Sequence, residues 1–184
     1  MPEATPLFTE LEAKAQKAAE EMARQLIENL TEKRLTLALA ESCTAGLVAD
    51  LLARTSGASA VLWGSFVCYT PDAKQRMLGL DGAFLEQHGL VSGETARAMA
   101  IHALERAGVS LAAAVTGIAG PQGDGSGTPV GTVWVAAAWQ GNCREKELHF
   151  QGTRAAIRMQ AAAAVLEELL EVVNLPLELF PKLG

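Results

Sequence analysis

The chain has 184 residues, 49% of them hydrophobic and 20% charged, with much of the apolar share supplied by alanine. That length suits one globular domain with a continuous core and no need of disulfides or a structural metal. The formal net charge of −6 lacks the basic footprint of a protein that wraps nucleic-acid phosphates, and no window approaches the ~18 apolar residues of a membrane span.

The chain opens on Pro2, Glu3 and other polar residues rather than a basic stretch followed by an apolar run, so no signal peptide is expected and a cytoplasmic location is. Residues 9–30 place Leu11, Ala15, Ala18, Met22, Leu26 and Leu30 near helical spacing and predict an amphipathic opening helix. Residues 35–40 form a short apolar run that reads as a buried strand. Glu41-Ser42-Cys43-Thr44 then supplies residue types that cap helices, and a helix is expected to run to about Arg54.

Ser56-Gly57 breaks that helix, and residues 61–69 are rich in aromatic and β-branched side chains of strand type. Thr70-Pro71-Asp72 starts a short helix with proline in its first position, which puts Lys74 one turn in. A second short helix ends at Gly89, and Ser92 caps a longer one that reaches Gly108. Residues 111–116 read as another buried strand.

Five glycines and two prolines fill residues 117–129 and mark a loop that turns sharply or comes close to a ligand. Residues 130–138 and 144–150 predict two strands joined by a hairpin at Gln140-Gly141-Asn142. Residues 154–173 form the last helix, and Pro176 and Pro181 punctuate a tail. Strands and helices that alternate and then end in a hairpin and a helix predict a single three-layer α/β/α domain with a mixed sheet over residues 1–184, its core at about 10–172 and its tail at 174–184.

Several residues carry candidate chemistry. In a strand-to-helix turn, Ser42 lies at the carboxyl edge of the first strand, where ligands of open α/β sheets bind. The N–H groups of Thr44, Ala45 and Gly46 then point outward as oxyanion donors. The bland alternative is that Ser42 or Thr44 only caps the helix.

A serine hydroxyl needs a base. His88, His102 and His149 sit at no strand end or glycine turn. Lys74 serves if burial lowers its pKa, with Tyr69 able to orient a proton; otherwise it is a solvated charge, and Tyr69 packs the sheet edge. Thr116-Gly117-Ile118-Ala119-Gly120-Pro121 follows a strand and offers the Thr116 hydroxyl and backbone N–H groups to an anion or sugar, or is an ordinary turn. Arg154 and Arg158, one helical turn apart, are placed to grip a phosphate or to pair with surface acids. The scattered histidines and Cys43, Cys68 and Cys143 show no metal-ligand spacing, so free thiols and no metal or other cofactor are expected.

The ordered set Ala40-Glu41-Ser42-Cys43-Thr44-Ala45-Gly46, Tyr69 to Lys74, Gly89-Leu90-Val91-Ser92, Thr116-Gly117-Ile118-Ala119-Gly120-Pro121 and Pro129-Val130-Gly131-Thr132-Val133 resembles the CinA C-terminal family over about residues 10–172. The resemblance implies a stand-alone form that hydrolyses nicotinamide mononucleotide to nicotinate mononucleotide and ammonia. It makes Ser42 the nucleophile and Lys74 the general base, with Tyr69 and Thr116 in support. Arg154 or Arg158 is the implied phosphate contact, and Thr44, Ala45, Gly46, Gly117 and Gly120 line the substrate.

Three positions depart from the family pattern: Ala45 and Ser65 stand where glycines are usual, and Thr128 where a lysine often precedes Pro-Val-Gly. A nucleotide-binding regulatory protein linked to competence or DNA damage is the competing reading. The expected partners are a small nucleotide and a second copy or more of this chain, with neither nucleic acid nor membrane.

Overall fold

The structure is a computed structural model that describes residues 6–180, with side chains described from residue 13. The side chain of Leu11 and the tail residue Pro181, both named above, lie outside the described residues. Strands β1 (Leu37–Glu41), β2 (Leu62–Val67), β3 (Leu111–Gly117), β4 (Thr132–Trp139) and β5 (Asn142–His149) form one sheet in the order β2-β1-β3-β4-β5. β1 pairs parallel with both β2 and β3, while β3 with β4 and β4 with β5 pair antiparallel.

The period-two alternation of the central strands sorts side chains by size onto two faces. Leu37 and Leu39, Leu111 and Val115, and Val133 and Val135 face helices α1 (Pro6–Lys33), α2 (Leu47–Ala53) and α6 (Arg154–Val173). Ala38, Ala40, Ala112, Ala114, Ala136 and Ala138 face α5 (Gly93–Ala107), which answers with Ala96, Met99, Ala100 and Ala103. Alanine against alanine lets α5 lie close to the sheet, so the alanine excess has a packing cause.

This is the expected three-layer α/β/α arrangement around a mixed sheet. The buried stripe of α1 runs through Ala19, Ala23, Leu26, Ile27 and Leu30; Ala18, expected on it, is exposed. The hairpin between β4 and β5 is tighter than the sequence suggests. Trp139 pairs with Asn142, and only Gln140 (φ 29°) and Gly141 (φ 75°) turn, both in the left-handed region that two-residue hairpins favour. β4 starts at Thr132, not at residue 130: Gly131 has φ 95°, and Thr132 N–H turns back to the Pro129 carbonyl.

Two N-caps lie where the sequence places them, and a third, Asp81, is added by the structure. Thr70 accepts from Ala73 N–H ahead of the single turn α3 (Pro71–Ala73), and Ser92 accepts from Thr95 N–H at the head of α5. Asp81 caps α4 (Gly82–His88), and Gly89 ends it. The cap of α2 is a correction. Neither Ser42 nor Thr44 caps it; the chain turns through Ala45 (φ 51°) and Gly46 (φ 92°), and the helix begins only at Leu47.

The topology brings the ends that matter to one edge. β2, β1 and β3 run parallel, so Tyr69, Ser42 and Thr116 all come from their carboxyl ends. Because β5 runs back alongside β4, pairing His149 with Thr132, α6 begins at that same edge with Arg154.

Candidate active site

Connections leave β1 toward β2 on one side, while β3 lies on the other. Between β1 and β3 is therefore the point where strand order reverses, and a crevice opens beyond their carboxyl ends. An open cleft of about 220 Å³ occupies it. Ser42, Tyr69, Lys74, Thr116, Gly117, Gly120 and Arg154 line this cleft together. Thr44, Ala45, Gly46 and Arg158 do not.

Ser42 is 8% exposed and continues the ladder, its N–H bonding the Val115 carbonyl at 3.0 Å. Among the described residues its hydroxyl has no hydrogen-bond partner. Lys74 follows α3 and opens a π-helical turn, Lys74–Leu78, a wider winding that recurs at functional sites. Its side chain passes inward between the sheet edge and α5 and is 2% exposed. The Nζ donates to the Cys68 carbonyl at 3.2 Å and meets Met99 Sδ at 3.4 Å. Among the described residues no carboxylate forms an ion pair with it, and burial pushes the Lys74 pKa down to about 8, against the opposing effect of the Cys68 and Cys43 thiols. The solvated-charge reading of Lys74 is thereby removed.

Burial likewise raises the Cys43 and Cys68 thiols to about 11, so neither is a thiolate at neutral pH. The Thr116 hydroxyl donates to the Leu90 carbonyl at 2.7 Å, and Thr95 donates to the Gly89 carbonyl at 2.6 Å. The two threonines latch the 89–91 segment, whose Leu90 and Val91 form a wall of the cleft. Arg154 spans the opening: Nη2 donates to the Tyr69 hydroxyl at 2.7 Å and Nη1 to the Gly120 carbonyl at 2.6 Å. Tyr69 is 51% exposed and is thus held at the rim rather than packed.

The oxyanion donors need correction. Gly46 N–H is bonded to Glu41 Oε2 at 2.9 Å, and Ala45 N–H to the Ser42 carbonyl at 3.1 Å. Of the three N–H groups predicted at this turn, only that of Thr44 has no acceptor among the described residues, and the N–H of Cys43 meets only its own thiol. The Thr44 side chain is buried with its hydroxyl unpartnered.

Arg158 lies away from the cleft. Its Nε donates to the Cys43 carbonyl at 3.1 Å and its Nη2 to the Thr44 carbonyl at 2.5 Å, bracing the turn instead of facing a substrate.

Sequence reasoning missed two contributors. Glu41 serves as the cap of α2 through Gly46, Val48 and Ala49 N–H groups; its place at the end of a strand hides that task. Asp124 lines the cleft, and the Ser126 hydroxyl and N–H hold its carboxyl below the usual range. Thr128 donates its N–H to the Ser126 hydroxyl within that loop.

Among the described residues no group of three or more His, Cys, Asp and Glu side chains is placed to hold a metal, and no helix is long and apolar enough to cross a membrane.

The sequence model of the CinA C-terminal domain matches residues 19–173. A CinA-like protein of Citrifermentans bemidjiense is 46% identical over 150 residues, covering 82% of this chain and 36% of that protein. The chain thus spans about a third of the length of the curated relatives it matches. Among solved structures, the competence/damage inducible protein CihA of Agrobacterium tumefaciens superposes with a TM-score of 0.81 at 42% identity, covering 85% of this chain and 96% of that one. A competence-damaged protein (CinA) superfamily protein of Escherichia coli superposes with a TM-score of 0.81 at 34% identity, covering 84% and 90%.

Proposed function

The chain belongs to the CinA C-terminal domain family, and on that premise we propose that it is an amidohydrolase that converts nicotinamide mononucleotide and water to nicotinate mononucleotide and ammonia. One observation carries this reading: an unpaired, buried Lys74 shares the cleft at the strand-order reversal with a serine hydroxyl that caps nothing. A lysine whose pKa falls to about 8 is neutral often enough near neutral pH to act as a base.

In the proposed sequence, neutral Lys74 takes the Ser42 proton as Oγ attacks the carboxamide carbon. The N–H of Cys43, which lines the cleft, holds the oxyanion in place of those of Ala45 and Gly46. The Lys74 ammonium returns its proton to the leaving nitrogen, and ammonia departs from a Ser42 ester. Water, deprotonated by the neutral lysine, then attacks the ester; the Lys74 ammonium returns that proton to Ser42 Oγ as it leaves, and the acid product loses its own proton to solvent to become the carboxylate. Arg154 at the rim is the cation for the substrate phosphate, since Arg158 is engaged behind the turn.

Ammonia release from nicotinamide mononucleotide by the purified protein, beside Ser42→Ala and Lys74→Ala, tests the reading. Turnover lost in both variants supports it. Nucleotide binding by a folded protein without ammonia release points instead to the regulatory alternative.

A further inference from the structure

We infer that Glu41 is the positioning residue of the candidate nucleophile, a role that rests on the reading of Ser42 as the reacting group. Glu41 is the last residue of β1, directly precedes Ser42, and is 1% exposed. A carboxylate so deeply buried must be compensated by donors, and four converge on it. Gly46 N–H at 2.9 Å, Val48 N–H at 3.1 Å and Ala49 N–H at 3.0 Å come from the start of α2, and the Ser65 hydroxyl at 3.0 Å comes from β2. One side chain therefore ties the strand before the nucleophile to the helix after it and to the neighbouring strand.

Only Ser42, Cys43, Thr44 and Ala45 lie between these anchors, and the turn leaves them through two left-handed residues, Ala45 and Gly46. A segment this short takes its shape from where its ends are held. A simple cap does not explain the arrangement, because Ser42 and Thr44 are the residue types that ordinarily cap and both are present in the turn. With the N–H groups of α2 assigned to Glu41, the Ser42 hydroxyl is released to the cleft. Glu41 does not line the cleft, so it acts on the reaction only through Ser42. Ser65 adds a link from the neighbouring strand.

The test is the rate at which a fluorophosphonate probe labels Ser42, read by mass spectrometry of the labelled peptide, beside the affinity for nicotinate mononucleotide by calorimetry. Glu41→Gln keeps the volume but turns an amide NH₂ toward backbone donors. Labelling is expected to slow roughly 100-fold, the loss that follows a displacement of about 1 Å, with product affinity near the wild-type value and thermal melting lowered, because the amide leaves buried N–H donors without an acceptor. Ser65→Ala is expected to slow labelling roughly 10-fold, the lower value of one hydrogen bond to a charged group.

Labelling of Glu41→Gln at the wild-type rate overturns the role, as does a loss of product affinity in step with labelling. If Glu41→Gln does not fold, Ser65→Ala decides: slower labelling with unchanged affinity supports the inference, and wild-type labelling overturns it. Failure of the wild-type protein to label at Ser42 removes the serine reading itself, and this outcome is distinct from the others.

Discussion

Tyr69 and Arg154, 85 positions apart in the chain, meet at 2.7 Å across the mouth of the cleft, and the same guanidinium holds the Gly120 carbonyl. The first turn of α6 is thereby fastened to the end of β2 and to the glycine-rich loop. Arg154 is also the one arginine among the residues lining the cleft.

Replacing Arg154 by Gln is expected to raise KM for the phosphorylated nucleotide roughly 10- to 100-fold, the value of one charge-assisted contact, with kcat little changed. Nicotinamide riboside, which lacks the phosphate, separates the two tasks of this arginine. If Arg154 grips phosphate, the variant's KM for the riboside stays near wild type; an equal loss for both compounds assigns Arg154 to holding Tyr69 and the loop.

The lysine sets the pH dependence. kcat/KM is expected to rise with unit slope and level off above a pH of about 8, because Lys74 must be neutral to accept the Ser42 proton. A profile flat from pH 6 to 9 argues against Lys74 as the base.

Stability follows the same group. Unfolded, the lysine binds its proton up to about 10.5; folded, only up to about 8. Its contribution is therefore fully present above about 10.5 and is lost as pH falls through about 8. Lys74→Met, similar in volume, is expected to raise stability at pH 7 by about 2 kcal/mol while abolishing turnover. Denaturant melts at pH 7 and pH 10 check this, since the gain should shrink at the higher pH.

Ala45 has φ 51°, a backbone conformation that costs a residue with a Cβ about 1–2 kcal/mol. Ala45→Gly removes that cost and adds about 0.5–1 kcal/mol of unfolded-chain entropy. A net gain of about 0.5–1 kcal/mol is expected, with activity retained or raised. A lower melting temperature for Ala45→Gly contradicts the account.

Arg158→Ala leaves the Cys43 carbonyl without its donor and the Thr44 carbonyl with Leu47 N–H alone, and is expected to cost roughly 2 kcal/mol in folding. Its signature differs from that of Arg154→Gln: kcat falls because the turn loosens, and KM moves little. A KM effect confined to phosphorylated substrate would place Arg158 at the phosphate after all.

Much of the fold is legible because its signals are local. β3 stands out as an apolar run ending at Thr116-Gly117, α3 through Thr70-Pro71, and α5 through Ser92. Ser42, Tyr69, Lys74, Thr116 and Arg154 each stand in a motif or at an element's end, so they are readable as candidates. The errors also have physical causes. The cap of α2 escaped because propensity weighs residues adjacent to the helix, whereas a carboxylate five to eight positions back reaches its N–H groups once β1 and α2 fold against each other. The arginines were indistinguishable because helical spacing puts both on one face without saying which element covers it.

By itself, then, the sequence determined the order of elements, the alanine-lined face and the residue types available for acyl chemistry, since these depend on spacing and local backbone preference. Only the tertiary structure decided that Lys74 is buried, that Arg154 faces the cleft while Arg158 braces the turn, and that Glu41 takes up Gly46 N–H, one of the donors expected at the oxyanion. The reason is the same in each case: burial and hydrogen-bond partnership arise from residues brought together across the sheet, and no spacing along the chain encodes which of them will meet.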